Sequence, residues 1–263
     1  MKIRYSVLAL LAYSCLIITA CDKDTEWNAD RTFTAPFSYV RIINVAPSFR
    51  TIFNERDSVN VSFNGAKFNA GYITYNSVFP SADYSAVPSG NQLVRLNYGV
   101  LNPDSTTIYS FSKTLEGAQR YSLIITDSIK SNNDAVQMWL KDNFTQPAQG
   151  MFGIRLVHAV TNDTVGKAID LYSVRQQKNL FTNIQKSTST DFVYSPIPVS
   201  GDTLIVHRSG TNIELARIPR TTDVNLPITL GNQRVYTVIY KGNTTITATT
   251  NTRARSLLLY TNL

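Results

Sequence analysis

His158 and His207 are the only imidazoles in the 263-residue chain, so the means for acid–base or metal chemistry are few. A zinc site gathers three or four Cys, His or carboxylate ligands. Here the histidines are far apart, and both cysteines, Cys15 and Cys21, lie at the N-terminus. Serine hydrolysis needs a nucleophile beside a base, often raised on a Gly-x-Ser-x-Gly turn, and the sequence has no such turn. It has four glutamates, Glu26 among them, and no spacing singles out an acid/base pair of the glycosidase kind. Gly166-Lys167 lacks the upstream glycine of a phosphate loop, and no Asp-x-Asp-x-Asp-Gly calcium loop occurs. These features predict a protein that is not an enzyme and uses no metal or cofactor. For His158, inside an apolar run, the expected role is structural: a polar group bonding backbone at a strand end.

The thiol of Cys21 is the reactive group with the clearest context. Lys2 and Arg4 precede an uncharged, mostly apolar run from Tyr5 to Ile18, shorter than the roughly 20 residues a permanent membrane helix needs. This is the layout of a targeting segment. The run closes on Ile18-Thr19-Ala20-Cys21, which resembles the lipobox of bacterial lipoproteins. That resemblance implies cleavage before Cys21 and acylation of its sulfur and new amine. Each buried methylene contributes about 0.8 kcal/mol, and several chains anchor stably where one does not. Residues 1–20 are therefore expected to be a signal peptide and residues 21–36 a lipidated tether. The acidic residues following Cys21 resemble export signals of some Gram-negative lipoproteins, so the outer membrane is expected, its cell-surface face ahead of the periplasmic one.

Asp57-Ser58-Val59, Asp127-Ser128-Ile129, Asp163-Thr164-Val165 and Asp202-Thr203-Leu204 share one pattern. The triplets resemble O-glycosylation acceptors of some Gram-negative envelope proteins, with Ser58, Ser128, Thr164 and Thr203 as the hydroxyls. They equally suit the start of a strand after a turn, and both readings stand. Among the aromatics, Tyr72, Tyr75 and Phe79 are candidate binding residues. Tyr84 and Tyr194 are expected in the core, bonding backbone at a sandwich corner.

Removing Lys2 and Arg4 from the formal charge of +7 leaves 23 basic against 18 acidic side chains, a balance of +5. No window holds the five or six like charges of a nucleic-acid tail, and nucleic acid is not an expected partner. With Cys15 and Cys21 assigned to the leader and the anchor, no disulfide is expected, and the fold must rest on its apolar core.

Short alternating runs between turn signals predict an all-β fold. Val59, Val61 and Phe63 alternate before Asn64-Gly65, a hairpin pair. Val94 to Val100, Arg120 to Asp127 and Val136 to Leu140 read as further strands. The segments also recur. Val40-Arg41-Ile42-Ile43-Asn44 matches Ile154-Arg155-Leu156-Val157-His158. Ser58 to Phe63 matches Ala168 to Tyr172, Tyr84 to Gly90 matches Tyr194 to Gly201, and Gln119 to Ile125 matches Gln233 to Ile239. A repeat of this length suits an immunoglobulin-like sandwich. Two tandem immunoglobulin-like β-sandwich domains are predicted, residues 37–147 and 150–263.

An apolar-Arg-apolar-apolar-His/Asn opening, a short apolar-Asp/Asn-apolar strand and a Tyr-x-x-apolar-Pro-x-Gly segment resemble the domain of unknown function 4397. This family of exported bacterial proteins often occurs in tandem. The resemblance implies an all-β envelope protein and no activity. The expected function is a lipid-anchored, non-catalytic binding or adhesion module contacting polysaccharide or a surface protein. A structural envelope component without a soluble ligand, or a glycan-active enzyme with unrecognised carboxylates, are the alternatives.

Overall fold

Residues with a two-residue apolar period build a pleated strand whose alternate side chains reach opposite faces, and such runs dominate this chain. The computed structural model describes residues 36–53, 57–98, 107–131, 134–219, 227–247 and 250–263. The leader, Cys21 and tether residues 21–35 lie outside the described residues. Ten strands come first: β1 (Phe37–Asn44), β2 (Ser58–Phe63), β3 (Ala66–Lys67), β4 (Ile73–Thr74), β5 (Val78–Phe79), β6 (Ser85–Pro88), β7 (Gly90–Tyr98), β8 (Thr107–Leu115), β9 (Arg120–Ile125) and β10 (Trp139–Lys141). Eight follow: β11 (Met151–His158), β12 (Ala168–Ser173), β13 (Lys178–Gln185), β14 (Val193–Pro196), β15 (Leu204–Arg208), β16 (Glu214–Ile218), β17 (Val235–Lys241) and β18 (Ser256–Thr261).

These strands make two sandwiches of the same plan. One sheet of the first runs β10-β9-β1-β5, with β6 also on β1; the other runs β3-β2-β7-β8, with β4 on β2. The second has β14-β11-β17-β18 and β13-β12-β15-β16. Each contains one parallel pair in matching register: β1 on β9 sets Arg41 opposite Ser122, and β11 on β17 sets Arg155 opposite Thr237. Parallel neighbours need a long crossover, and the strands of the other sheet supply it. The fold is all-β, as the alternating runs predict.

Three apolar clusters hold the layers together. Val40, Ile42, Val61, Leu96 and Leu123 fill the first sandwich, and Ile154, Leu156, Leu171, Val206 and Val238 fill the second. The third lies between the sandwiches. Ile43, Val45, Ile124 and Met138 meet Val157, Ala159, Ile239 and Tyr260 there. The β1/β9 and β11/β17 sheets are thus covered on both faces, which is why β1, β9, β11 and β17 read as near-continuous apolar runs.

The structure corrects several local expectations. Val136 to Leu140 is not one strand: Asp134–Gln137 is a helical turn, and only Trp139–Lys141 pairs with β9. Met138, at φ +53°, breaks the alternation between them. It turns its side chain to the seam while Trp139 turns to the first core. Strand pairing also shifts the repeat. Tyr39 pairs with Ala86 and its counterpart Gly153 with Tyr194, so Tyr194 corresponds to Ala86 and Phe192 to Tyr84. Likewise Val40 pairs with Tyr121 and Ile154 with Tyr236, making those two tyrosines equivalent. They are the corner tyrosines: the Tyr121 hydroxyl accepts from the Glu116 amide at 3.0 Å and that of Tyr236 from the Gly231 amide at 2.7 Å. Tyr194, expected in the core, is 39% exposed.

Candidate functional site

An arginine in the middle of an apolar strand must bury a charge that cannot be neutralised, so it needs partners in the dry layer it enters. Arg41 and Arg155 are both fully buried, on the faces of β1 and β11 that meet between the sandwiches. Arg41 donates through Nε and Nη2 to the Asp83 carbonyl, at 3.2 and 3.0 Å, and through Nη1 to the Thr261 carbonyl at 2.6 Å. Its guanidinium lies 4.5 Å from the Tyr84 ring centroid and 5.3 Å from that of Tyr260. Arg155 lies 4.6 Å from the Phe192 ring centroid and pairs with the Asp142 carboxylate at 2.5 Å.

Around that ion pair the polar groups close a ring. Arg155 Nε donates to Thr237 Oγ1 (2.9 Å), Thr237 Oγ1 to Asn262 Oδ1 (2.7 Å), and Asn262 Nδ2 to the Tyr84 hydroxyl (2.8 Å). The Tyr84 hydroxyl in turn donates to Asp142 Oδ2 at 2.8 Å, beside a 2.6 Å bond from Ser122. Tyr84, Ser122 and Asp142 come from the first sandwich, and Arg155, Thr237 and Asn262 from the second. Burial, then the Asp142 charge, raises the Tyr84 phenol far above its usual range, so it stays a donor. Burial, the largest influence, would lower the Arg155 pKa, but Asp142, Tyr260 and Tyr84 together hold it raised. The Arg155–Asp142 pair is a charge-balanced lock, Arg41 is held by carbonyls and rings, and these groups are used up in holding the sandwiches together.

The other acidic groups with sequence interest are also engaged. Asp163 accepts the Val165 and Gly166 amides and the Tyr240 hydroxyl. Asp202 accepts the Arg175 and Thr203 amides and the Ser173 hydroxyl. Asp127 accepts the Ser48 amide, and Asp57 pairs with Arg253. The Asp163 and Asp202 bonds brace the turns that lead into β12 and β15, while Asp127, after β9, holds the Ser48 amide and Asp57 ties β2 to the second sandwich. Of the triplet hydroxyls, Thr164 is exposed, while Ser58, Ser128 and Thr203 are half-buried. His158 is buried, with Nε2 2.6 Å from the Gly166 carbonyl and its ring edge-on to Tyr240. Burial lowers its pKa despite that bond. Asn44, its counterpart, donates to the Ile73 carbonyl and accepts the Ala46 amide. Among the described residues no three His, Cys, Asp or Glu side chains gather as a metal cage requires.

The sequence-predicted contact aromatics have separate surroundings. Tyr72 is 41% exposed. Phe79 packs edge-on to Phe68, at 5.6 Å, against the first core. Tyr75 lies under the Lys241 ammonium (4.9 Å) and the Arg253 guanidinium (5.9 Å). With Ser58 and Asp57 it lines a recess of about 490 Å³ where the two sandwiches meet.

A larger recess, about 650 Å³, lies on the outer face of the second sandwich. Its floor is Asp170 and Tyr172 of β12 with Ile205 and His207 of β15, which point away from the core because Ile169, Leu171, Leu204 and Val206 point into it. The Tyr172 and His207 rings stand 5.7 Å apart at 39°. The pairing of β12 with β13 is irregular on both sides of Leu171, and that of β15 with β16 between Val206 and His207. Bulges of this kind re-aim side chains. Asp170 braces the rim by accepting the Asn183 amide (2.7 Å) and the Gly210 amide (3.0 Å). Burial would raise its pKa, but these two bonds, with the Ser209 hydroxyl and the neighbouring His207, hold it below the usual carboxylate value. Sequence reasoning missed this face. Tyr172 was visible as an outward residue of an alternating strand, but only pairing brings His207 beside it.

This architecture defines an all-β protein whose paired sheets enclose two apolar cores joined through a buried seam. Residues 38–172 match the profile of the Domain of unknown function (DUF4397), just over half of the chain, and the chain belongs to that family. No curated protein matches it. The solved structure of the Bacillus anthracis TIE protein is similar over 66% of this chain and 28% of its own length, at 11% identity and a TM-score of 0.22. The chain thus spans well under a third of that structure, and the likeness carries no functional argument.

Proposed function

We propose that this chain is a non-catalytic, lipid-anchored protein of the bacterial outer membrane, displaying its two sandwiches at the cell surface as a binding or adhesion module. The partner is polysaccharide or a surface protein, and neither nucleic acid nor a cofactor takes part. The lipobox at Cys21 supports the anchor. The carrying observation is the recess floored by Tyr172 and His207, an open concavity that sets two aromatic rings among polar side chains on a rigid sheet, the kind of scaffold on which exposed groups make contacts. The buried seam supports rigid display, since a surface held by packed sheets binds without the cost of ordering it.

Protease accessibility on intact cells, compared with cells whose outer membrane is permeabilised, tests the reading. Digestion of the chain on intact cells is expected, together with release of a Cys21→Ser variant from the membrane fraction. Protection until permeabilisation would remove the surface role.

A further inference from the structure

The two sandwiches share a strand plan, so equivalent positions on their outer sheets can be compared directly. In the first, Asn60 and Ser62 of β2 and Asn97 of β7 face outward, and each is held by a side-chain hydrogen bond. Asn69 donates to Asn60 at 2.9 Å, Asn97 to Ser62 at 3.1 Å, and Thr107 to Asn97 at 2.9 Å. Ser62 and Asn97 are the counterparts of Tyr172 and His207, as the pairings of Asn60 with Asn97 and Asp170 with His207 require. In the second sandwich the same places carry two rings. Among the described residues no hydrogen bond claims the Tyr172 hydroxyl, the Lys178 ammonium or the Asn179 and Asn212 amides, which line the same recess.

Resting on the surface-binding reading above, we infer that this recess is a stacking site for a pyranose ring of a neutral polysaccharide, and that the equivalent face of the first sandwich is not. The face of an aromatic ring is negative, and the axial C–H groups of a sugar carry the complementary positive edge. The tilted Tyr172–His207 pair makes a shallow plate for that face, too polar at its rim for a purely apolar ligand. Lys178, Asn179 and Asn212 offer donors and acceptors to ring hydroxyls. The floor carboxylate, Asp170, already accepts two backbone amides, so it organises the rim and leaves hydroxyl recognition to those three side chains. Neutral sugar is favoured over anionic sugar because the lining carries one ammonium, Lys178, against one carboxylate, Asp170, and the adjacent Glu214 and Arg217 form an ion pair of their own.

The test is native electrophoresis of the mature lipoprotein, purified in detergent, through gels containing dextran, mannan or xylan, with polygalacturonate as the anionic comparison. At least one neutral polysaccharide is expected to retard the protein. Tyr172→Ala should weaken that retardation at least about tenfold, Tyr172→Phe should keep most of it, and Arg95→Ala, on the first sandwich, should leave it unchanged. An unchanged urea midpoint verifies that Tyr172→Ala is folded. Retardation by none of the neutral polysaccharides, or by polygalacturonate alone, overturns the sugar site, as does a Tyr172→Ala variant that migrates like the parent. Protease digestion of intact cells separates the two failures. A digested chain that ignores every glycan keeps the surface reading and assigns its partner to a protein. A protected chain removes the surface reading itself.

Discussion

Arg41 and Arg155 hold equivalent places in the two sandwiches, and each stacks on an aromatic ring of its own sandwich while reaching into the other. Arg41 lies on Tyr84 and bonds the Thr261 carbonyl; Arg155 lies on Phe192 and pairs with Asp142. The repeated arginine is therefore a docking device. It explains why an obligatory charge recurs inside strands that are otherwise apolar. A guanidinium suits the role because it stacks as a plane and donates in a fork.

Breaking the lock from one side should be costly. Asp142→Ala leaves a buried guanidinium without its counter-charge, which typically destabilises by about 3–5 kcal/mol. Replacing both partners, Arg155→Met with Asp142→Leu, should recover much of that loss, because the desolvation penalty disappears with the charges. Urea denaturation of the two single variants and the double variant measures this. A double variant as unstable as the sum of the singles would show that the pair is not coupled.

Stability should fall on mild acidification because of His158. Burial lowers its pKa from 6.5 in the folded chain, so the unfolded chain binds the proton more readily. The contribution is complete above about pH 6.5 and is lost as pH falls below it towards the folded value, at up to about 1.4 kcal/mol per pH unit. Urea midpoints at pH 7.5 and 5.5 should therefore separate for the parent protein and draw together for His158→Asn, which installs the residue that the first sandwich uses at Asn44. An equal drop in both would assign the pH dependence elsewhere.

Gly242 closes β17 with φ +113°, and a Cβ there would run into the backbone carbonyl of Ala254. Because the obstacle is backbone, it cannot rotate away. Gly242→Ala should cost about 2 kcal/mol or more from steric conflict and left-handed strain together. Thermal or urea unfolding reads this directly. Gly65→Ala, at φ +86° but with open space around it, should cost less, and a reversed order would sink the steric account.

The triplet hydroxyls differ in access, so O-linked sugar on the native protein should appear first at Thr164, the exposed one. Intact mass and peptide mapping of protein from its own host provide the measurement. The mass of the unglycosylated protein would assign all four triplets to structural bracing alone, the role their aspartates have in the structure.

The sequence by itself determined the strands and their repetition. Val59, Val61 and Phe63 show their period directly, and Asn64-Gly65 adopts the positive φ values of a tight hairpin. These signals are local, carried by side-chain alternation and backbone preference within a few residues. The same information misaligned Tyr84 with Tyr194 and Tyr121 with Val235, because a match of letters cannot count the residues in a loop. Hydrogen-bonded register counts them, and it pairs Tyr84 with Phe192 and Tyr121 with Tyr236. Only the tertiary structure decided what Arg41, Asp142 and His207 meet. Their partners lie on other strands or in the other sandwich, and burial and charge balance at those meeting points are properties of packed sheets that no single segment carries.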